Sequence, residues 1–268
     1  MGKRLLITGA AGRLGQELSK RLGQSHPLTL LDLMPPLGAG ARDRVITGDL
    51  ADPVVRAAAL QEVDAIIHLA CRHGEHAHFE DMLETNYRAS LALFEEGIAQ
   101  GVTEIVFASS NHGWGFYDRA HTPLSVHAQP RPDSWYGISK LWTEAVLSYL
   151  SDRHGIRATS LRIGRCEASV PDERCRHMWI SFDDLAQLIA LSLQRTDMGH
   201  YVCFATSDSQ NPFFDNQEAK ALGFQPRDLP DENWAHPDVG SQQPDPGFAG
   251  HFIGGVYAAE NFKQKSSS

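Results

Sequence analysis

Long apolar runs are missing from this chain of 268 residues, and none approaches the roughly 18–20 that a membrane-spanning helix needs. The N-terminus passes from Lys3 and Arg4 straight into Leu5-Leu6-Ile7, without the apolar core and cleavage site of a secretory leader. A cytoplasmic location is therefore expected. Cysteine is scarce. Cys71, Cys166, Cys175 and Cys203 are scattered without a CxxC pair, which points to reduced thiols and away from a disulfide framework. Positive charge is in deficit as well: 24 Lys and Arg against 33 Asp and Glu give a formal charge of −9. A nucleic-acid binder would carry a basic stripe, so no nucleic-acid partner is expected, and no membrane. There is no internal repeat, and the polar end at 263–268 reads as a frayed tail.

What is present is a regular alternation of apolar runs with helix-length amphipathic stretches. Strands are expected at 4–8, 28–31, 44–46, 65–69, 104–108 and 158–163, and helices at 14–22, 53–61, 79–100 and 134–154. Pro53 falls in the first turn of its helix, where a missing N–H costs nothing. This alternation predicts an α/β fold, a Rossmann-like doubly wound parallel sheet with right-handed crossovers. After residue 163 the pattern loosens into a helix at 181–194, a strand-like 201–204, a helix near 216–222 and a Pro/Gly-rich stretch over 224–250. The expected organisation is a nucleotide-binding core over 1–164, a small C-terminal substrate-capping lobe over 165–262 intertwined with it, and the tail.

Two short segments carry the chemistry. Gly9-Ala10-Ala11-Gly12-Arg13-Leu14-Gly15 follows the first strand and opens the first helix, the context of a phosphate-binding turn. Glycines let the backbone approach a pyrophosphate, and the helix N-terminus supplies N–H groups and partial positive charge. Asp32, at the end of the second strand, is placed to bond the adenosine ribose and to repel a 2′-phosphate, so NAD is favoured over NADP. Asp49 and Leu50 are placed for the adenine, with a capping role for Asp49 equally open. Leu69, Ala70, Asn86 and Ile163 are further candidates along the cofactor.

The second segment is Tyr136-Gly137-Ile138-Ser139-Lys140. Spaced four apart on a helix, the phenol and the amine share a face. A free tyrosine has a pKa near 10, and a neighbouring ammonium is expected to favour its phenolate and so make it a usable base. Ser109, Ser110 and Asn111 follow the fifth strand at the carboxyl edge of the sheet, where Ser110 is the preferred group to orient a substrate alcohol.

These residues resemble the short-chain dehydrogenase/reductase superfamily in its extended, GxxGxxG-bearing branch. More narrowly, the chain resembles uronate dehydrogenases and related NAD-dependent hexose 1-dehydrogenases over most of its length. The likeness runs through Phe107–His112, Arg131–Lys140, Leu161–Gly164, Trp179–Asp184 and Gly254-Gly255. It implies Tyr136 as base, Lys140 as its partner, Ser110, Asn111 and His112 as substrate contacts, and Arg174 as the grip on an anionic group. The implied reaction oxidises the C1 hydroxyl of a cyclic sugar to a lactone. Superfamily members commonly pair long helices across a two-fold axis, so a homo-oligomer is expected, a dimer or higher.

Two departures from those relatives stand out. Where they carry serines, this chain has a longer, basic loop over 71–78 and Arg165. Arg165, Arg174 and His73 are expected around one pocket, and several cationic donors suit a tetrahedral C6 anion such as a phosphate or sulfonate. His73, Glu75, His76 and His78 match no closed zinc pattern, so no metal is expected. A sugar epimerase or dehydratase and a non-catalytic NAD-binding protein are the competing readings.

Overall fold

The computed structural model describes residues 2–235 and 247–261. The tail at 263–268 and part of the Pro/Gly-rich stretch lie outside the described residues. The chain opens with β1 (Leu5–Thr8), α1 (Arg13–Leu22), β2 (Leu28–Asp32), β3 (Arg44–Thr47), α2 (Pro53–Ala59) and β4 (Ala65–His68). Next come α3 (Phe79–Met82), a π-helical segment (Leu83–Ala89), α4 (Ser90–Ala99), β5 (Glu104–Ser110), α5 (Trp135–His154) and β6 (Arg157–Ile163). Then follow β7 (Arg165–Cys166), α6 (Glu173–Arg176), β8 (Trp179–Ile180), α7 (Phe182–Ser192), β9 (Gly199–Ala205), α8 (Gln217–Ala221) and α9 (Val256–Asn261).

Seven strands form one parallel sheet in the order β3-β2-β1-β4-β5-β6-β9, and β7 and β8 form a separate two-stranded pair. Strand order reverses between β1 and β4, which opens a crevice at the carboxyl ends of those strands. Successive β1 side chains point to opposite faces, and both faces are covered. Leu5 and Ile7 join the core packed with α1 and α7, whereas Leu6 joins the core packed with α4 and α5. A third cluster is built on Trp114, Trp179, Phe204 and Phe214.

Local chemistry sets the ends of the elements. Asp52 caps α2 by accepting from the Val54 N–H at 2.8 Å, with Pro53 behind it. Ser134 caps α5 by accepting from Gly137 N–H at 3.1 Å, and Gly155 closes the helix in the left-handed region at φ 64°.

Two elements differ from the sequence expectation. The stretch 201–204 is part of β9, which pairs parallel with all of β6 from Arg157↔Gly199 to Ile163↔Ala205. Its end is fully buried at Cys203, Phe204 and Ala205, so the main sheet recruits residues well past 164. The helix expected at 79–100 carries a π-helical segment in its middle. Ser90 Oγ donates to the Thr85 carbonyl five residues back at 2.9 Å, and a π-helical turn of this kind redirects the side chains around it.

Candidate active site

The phosphate-binding turn is shaped by contacts that exclude any side chain. Gly9 has φ +71°, and a Cβ there would lie 2.8 Å from Ala70 N at the end of β4. A Cβ on Gly15 would fall onto the Gly9 carbonyl and lie 2.6 Å from Ala10 Cα, so only glycine lets α1 pack this close to β1. No side chain caps the N-terminus of α1. A glycine cradle under an uncapped helix end fits a dinucleotide pyrophosphate.

A cleft of about 910 Å³ runs from this turn along the carboxyl ends of the strands. Gly9, Gly12, Arg13, Leu14 and Gly15 form one wall, and Asp32, Asp49 and Leu50 stand at one end. Asp32 Oδ2 accepts from Ala11 N–H at 2.9 Å, so the same carboxylate also braces the turn. Asp49 accepts from Ala51 N–H at 2.9 Å, so it caps and lines at once. Leu69, Ala70 and Ile163 line the middle of the cleft. Asn86, expected beside the cofactor, is not on the wall. Its amide accepts from Arg72 N–H at 2.7 Å, donates to the Arg72 carbonyl at 2.9 Å and donates to Ser139 Oγ at 3.0 Å. Both ends of the side chain are spent on holding the 71–72 loop against α5.

Tyr136, Lys140, Ser110, Asn111, His112 and His73 converge in the cleft, and Arg165 and Arg174 also line it. Lys140 is buried, with its Nζ donating to the Ala108 carbonyl at 2.7 Å. Tyr136 and Ser110 line the same part of the cleft. Ser110 Oγ accepts from His112 N–H at 3.2 Å. The expected softening of the phenol does not appear in the protein alone. Burial pushes Tyr136 well above its usual value, the nearby Cys71 adds to this, and Ser110 works against it. Burial also lowers Lys140, while the neighbouring Cys71 works to raise it.

The basic loop is less cationic than its composition suggests. Burial and the neighbouring Lys140 lower His73 from 6.5, which keeps it neutral at neutral pH. Arg165 is paired with Glu167, which also takes Arg13 of the phosphate turn. Arg174 Nε donates to the Ile253 carbonyl at 2.8 Å, and Gly255, at φ +60°, packs against its guanidinium. The only charge at 71–78 that reaches the wall is Arg72, since His76 and His78 are not part of it. Among the described residues no group of His, Cys, Asp and Glu stands in metal-ligating geometry.

Four contributors lie outside the residues the sequence pointed to: Cys71, Asp133, Met178 and Tyr257. Asn111 Nδ2 lies 3.6 Å from Met178 Sδ, and the Tyr257 ring lies on His112 with centroids 4.0 Å apart. Behind the cleft a buried chain runs from the Ser90 hydroxyl to His68 Nε2 (2.9 Å) and from His68 Nδ1 to Thr8 Oγ1 (2.8 Å). Thr8 Oγ1 in turn accepts from Leu69 and Ala70 N–H, which fixes the floor on which a cofactor would lie.

Fold and cleft together define a nicotinamide-dinucleotide-binding protein of the short-chain dehydrogenase/reductase type. A family profile described as the NAD dependent epimerase/dehydratase family matches residues 5–182, and the chain belongs to that family. It is 42% identical over 227 residues to a uronate dehydrogenase of Pseudomonas putida, covering 84% of each chain. It is 30% identical to an NAD-dependent glucose-6-phosphate dehydrogenase of Haloferax volcanii, covering 85% of this chain and 94% of that one. Among solved structures it superposes on an NAD complex of a uronate dehydrogenase variant from Agrobacterium tumefaciens with a TM-score of 0.89. Sequence identity there is 33%, with 98% of this chain and 100% of that chain covered.

Proposed function

We propose that the protein is an NAD-dependent dehydrogenase that oxidises the C1 hydroxyl of a hexose carrying an anionic C6 group. The observation that carries this reading is one continuous cleft. The dinucleotide cradle, the Tyr136–Ser110–Lys140 group and Arg174 all stand on its walls. Relatives named for uronate and for glucose 6-phosphate support an anionic hexose.

The chain's own residues then divide the work. Ser110 holds the substrate hydroxyl beside Tyr136, and Tyr136 accepts the proton as the C1–H bond breaks. NAD, when bound, supplies the hydride acceptor, so alcohol becomes carbonyl with one proton left on the protein. Lys140 is anchored on the Ala108 carbonyl and keeps a positive charge near the phenol, 5.4 Å from its ring centroid. Arg174 grips the C6 anion at the far end and fixes which face of C1 meets the cofactor. The pairing of Arg165 with Glu167 and the neutrality of His73 remove the ground for favouring a tetrahedral anion over a carboxylate. All three C6 anions therefore enter the test.

NADH formation is to be compared for glucuronate, galacturonate, glucose 6-phosphate, 6-sulfoglucose and unmodified glucose. At least one C6-anionic sugar is expected to exceed glucose by orders of magnitude in kcat/KM. Glucose outrunning all of them would overturn the anionic reading. Sugar conversion with no net NADH would instead indicate an epimerase. Arg174→Ala is expected to raise the sugar KM strongly, since losing one partner of a charge-assisted pair costs about 2–5 kcal/mol.

A further inference from the structure

Asp133 stands immediately before the Ser134 cap of α5 and is only 1% exposed. Two glycine backbones wall it in: a Cβ on Gly115 or on Gly254 would fall on its carboxylate. Ser134 Oγ donates to Oδ1 at 2.8 Å, and His112 Nδ1 lies 2.8 Å from Oδ2. Asp133 N–H also donates to the His112 carbonyl at 3.2 Å, so backbone and side chain latch the same two residues together. The imidazole also packs against two rings, Tyr257 at 4.0 Å and, in a T-shaped contact, Tyr136 at 5.8 Å between centroids. Neither Asp133 nor Tyr257 stood out in the sequence.

An ionised carboxylate only accepts hydrogen bonds, so the proton in the His112–Asp133 contact belongs to Nδ1. The form of an imidazole is set by the bond its other nitrogen makes. We infer that Asp133 is a positioning residue that holds His112 in its Nδ1–H form, so that Nε2 meets the substrate as an acceptor for a sugar hydroxyl proton. His112 lines the cleft, and Nε2 has no partner among the described residues. The arrangement selects a substrate with a hydroxyl at that place, because a sugar lacking it leaves Nε2 without a donor. The substrate half of this inference rests on the sugar-dehydrogenase reading, whereas the imidazole form does not.

The test uses the full chain labelled with [15N]histidine and multiple-bond 1H–15N spectra recorded at the assay pH. Wild type is expected to show His112 protonated at Nδ1 alone. Asp133→Asn keeps the shape but turns an N–H toward Nδ1, so its His112 is expected to carry the proton on Nε2. With the preferred sugar its KM should rise about tenfold, while the KM for NAD and the melting temperature stay near wild type. A wild-type spectrum with the proton on Nε2, or on both nitrogens, would overturn the inference. So would an Asp133→Asn protein whose imidazole has switched while its sugar KM has not moved. Should that variant not fold, the wild-type spectrum decides together with His112→Phe, which keeps a ring on Tyr257 without the acceptor. An unchanged sugar KM in His112→Phe refutes the acceptor role. If no sugar in the panel yields NADH, the functional reading fails and the substrate half falls with it. The spectrum still judges the Asp133–His112 pair on its own.

Discussion

Replacing Gly15 with alanine tests the cofactor cradle at its tightest point. The new Cβ would fall on the Gly9 carbonyl oxygen and lie 2.6 Å from Ala10 Cα and 2.8 Å from Ala10 C. All three neighbours are backbone, so no rotamer change relieves the overlap. To reach ordinary contact α1 must retreat from β1 by about 1 Å, and Leu18 and Leu22 on its buried face move with it. Overpacking of this kind costs about 1–3 kcal/mol, or roughly 3–10 °C of melting temperature for a chain of this size. The same retreat withdraws the uncapped helix N-terminus from a bound pyrophosphate, and NAD affinity is expected to fall at least about tenfold. Gly12→Ala provides the internal standard for stability, because its Cβ would meet a single protein atom at 3.2 Å, a clash that small shifts absorb. Calorimetric titration with NAD and thermal unfolding of both variants decide the matter. Wild-type affinity and stability in Gly15→Ala would refute the cradle, as would equal loss of stability in the two variants.

Asp32→Ala is expected to relax the preference for NAD over NADP, measured as the ratio of kcat/KM values. Because Asp32 also braces Ala11, some loss of NAD affinity should accompany the change, and an unaltered ratio would remove Asp32 from ribose selection. Tyr136→Phe should abolish turnover while leaving NAD binding intact, and residual activity near wild type would displace Tyr136 as base. Acid should weaken the fold through its buried histidines. Burial lowers His68 to about 3 and His200 to about 4 from the ordinary 6.5. Below pH 6.5 the unfolded chain therefore takes protons that the folded chain refuses. Stability is complete above pH 6.5 and declines toward pH 4 by about 2–3 kcal/mol per pH unit for the two sites together. Urea unfolding at a series of pH values reads this slope, and a flat profile between pH 6.5 and 5 would contradict it.

The parts of the site that could be read in the sequence are those whose chemistry depends on near neighbours in the chain. Gly9, Gly12 and Gly15 are spaced by one turn, and Tyr136 and Lys140 by one helical step, so pattern alone places them. The six strands of the first two-thirds were legible for the same reason. Stretch 201–204 was less clear, because a strand that completes a sheet edge is identified by its partner. The pairing of β9 with β6 joins residues some forty apart. Asn86 is a candidate cofactor contact by sequence alone. Only the fold shows that the π-helical segment aims it at Arg72 and Ser139. The charge state of the 71–78 loop was likewise hidden. Histidine content signals basicity, but burial beside Lys140 makes His73 neutral.

The charges along the cleft explain how one family scaffold separates cofactor binding from substrate choice. Arg13 of the phosphate turn and Arg165 are both committed to Glu167, and Lys140, in the middle of the cleft, to the Ala108 carbonyl. The substrate end is assembled differently, by the late segment Ile253–Asn261 closing on loops from the first half of the chain. Ile253 receives Arg174 Nε, Gly255 packs on the same guanidinium, and Tyr257 covers His112. Asn261 donates to the Glu75 carbonyl at 3.3 Å and so ties the segment to the 71–78 loop. Gly254 and Gly255 are required because a side chain on either would collide with Asp133 or Arg174. On the function proposed above, selectivity for the sugar belongs where two segments distant in sequence meet, apart from the turn and the Tyr–Lys pair assigned to the reaction.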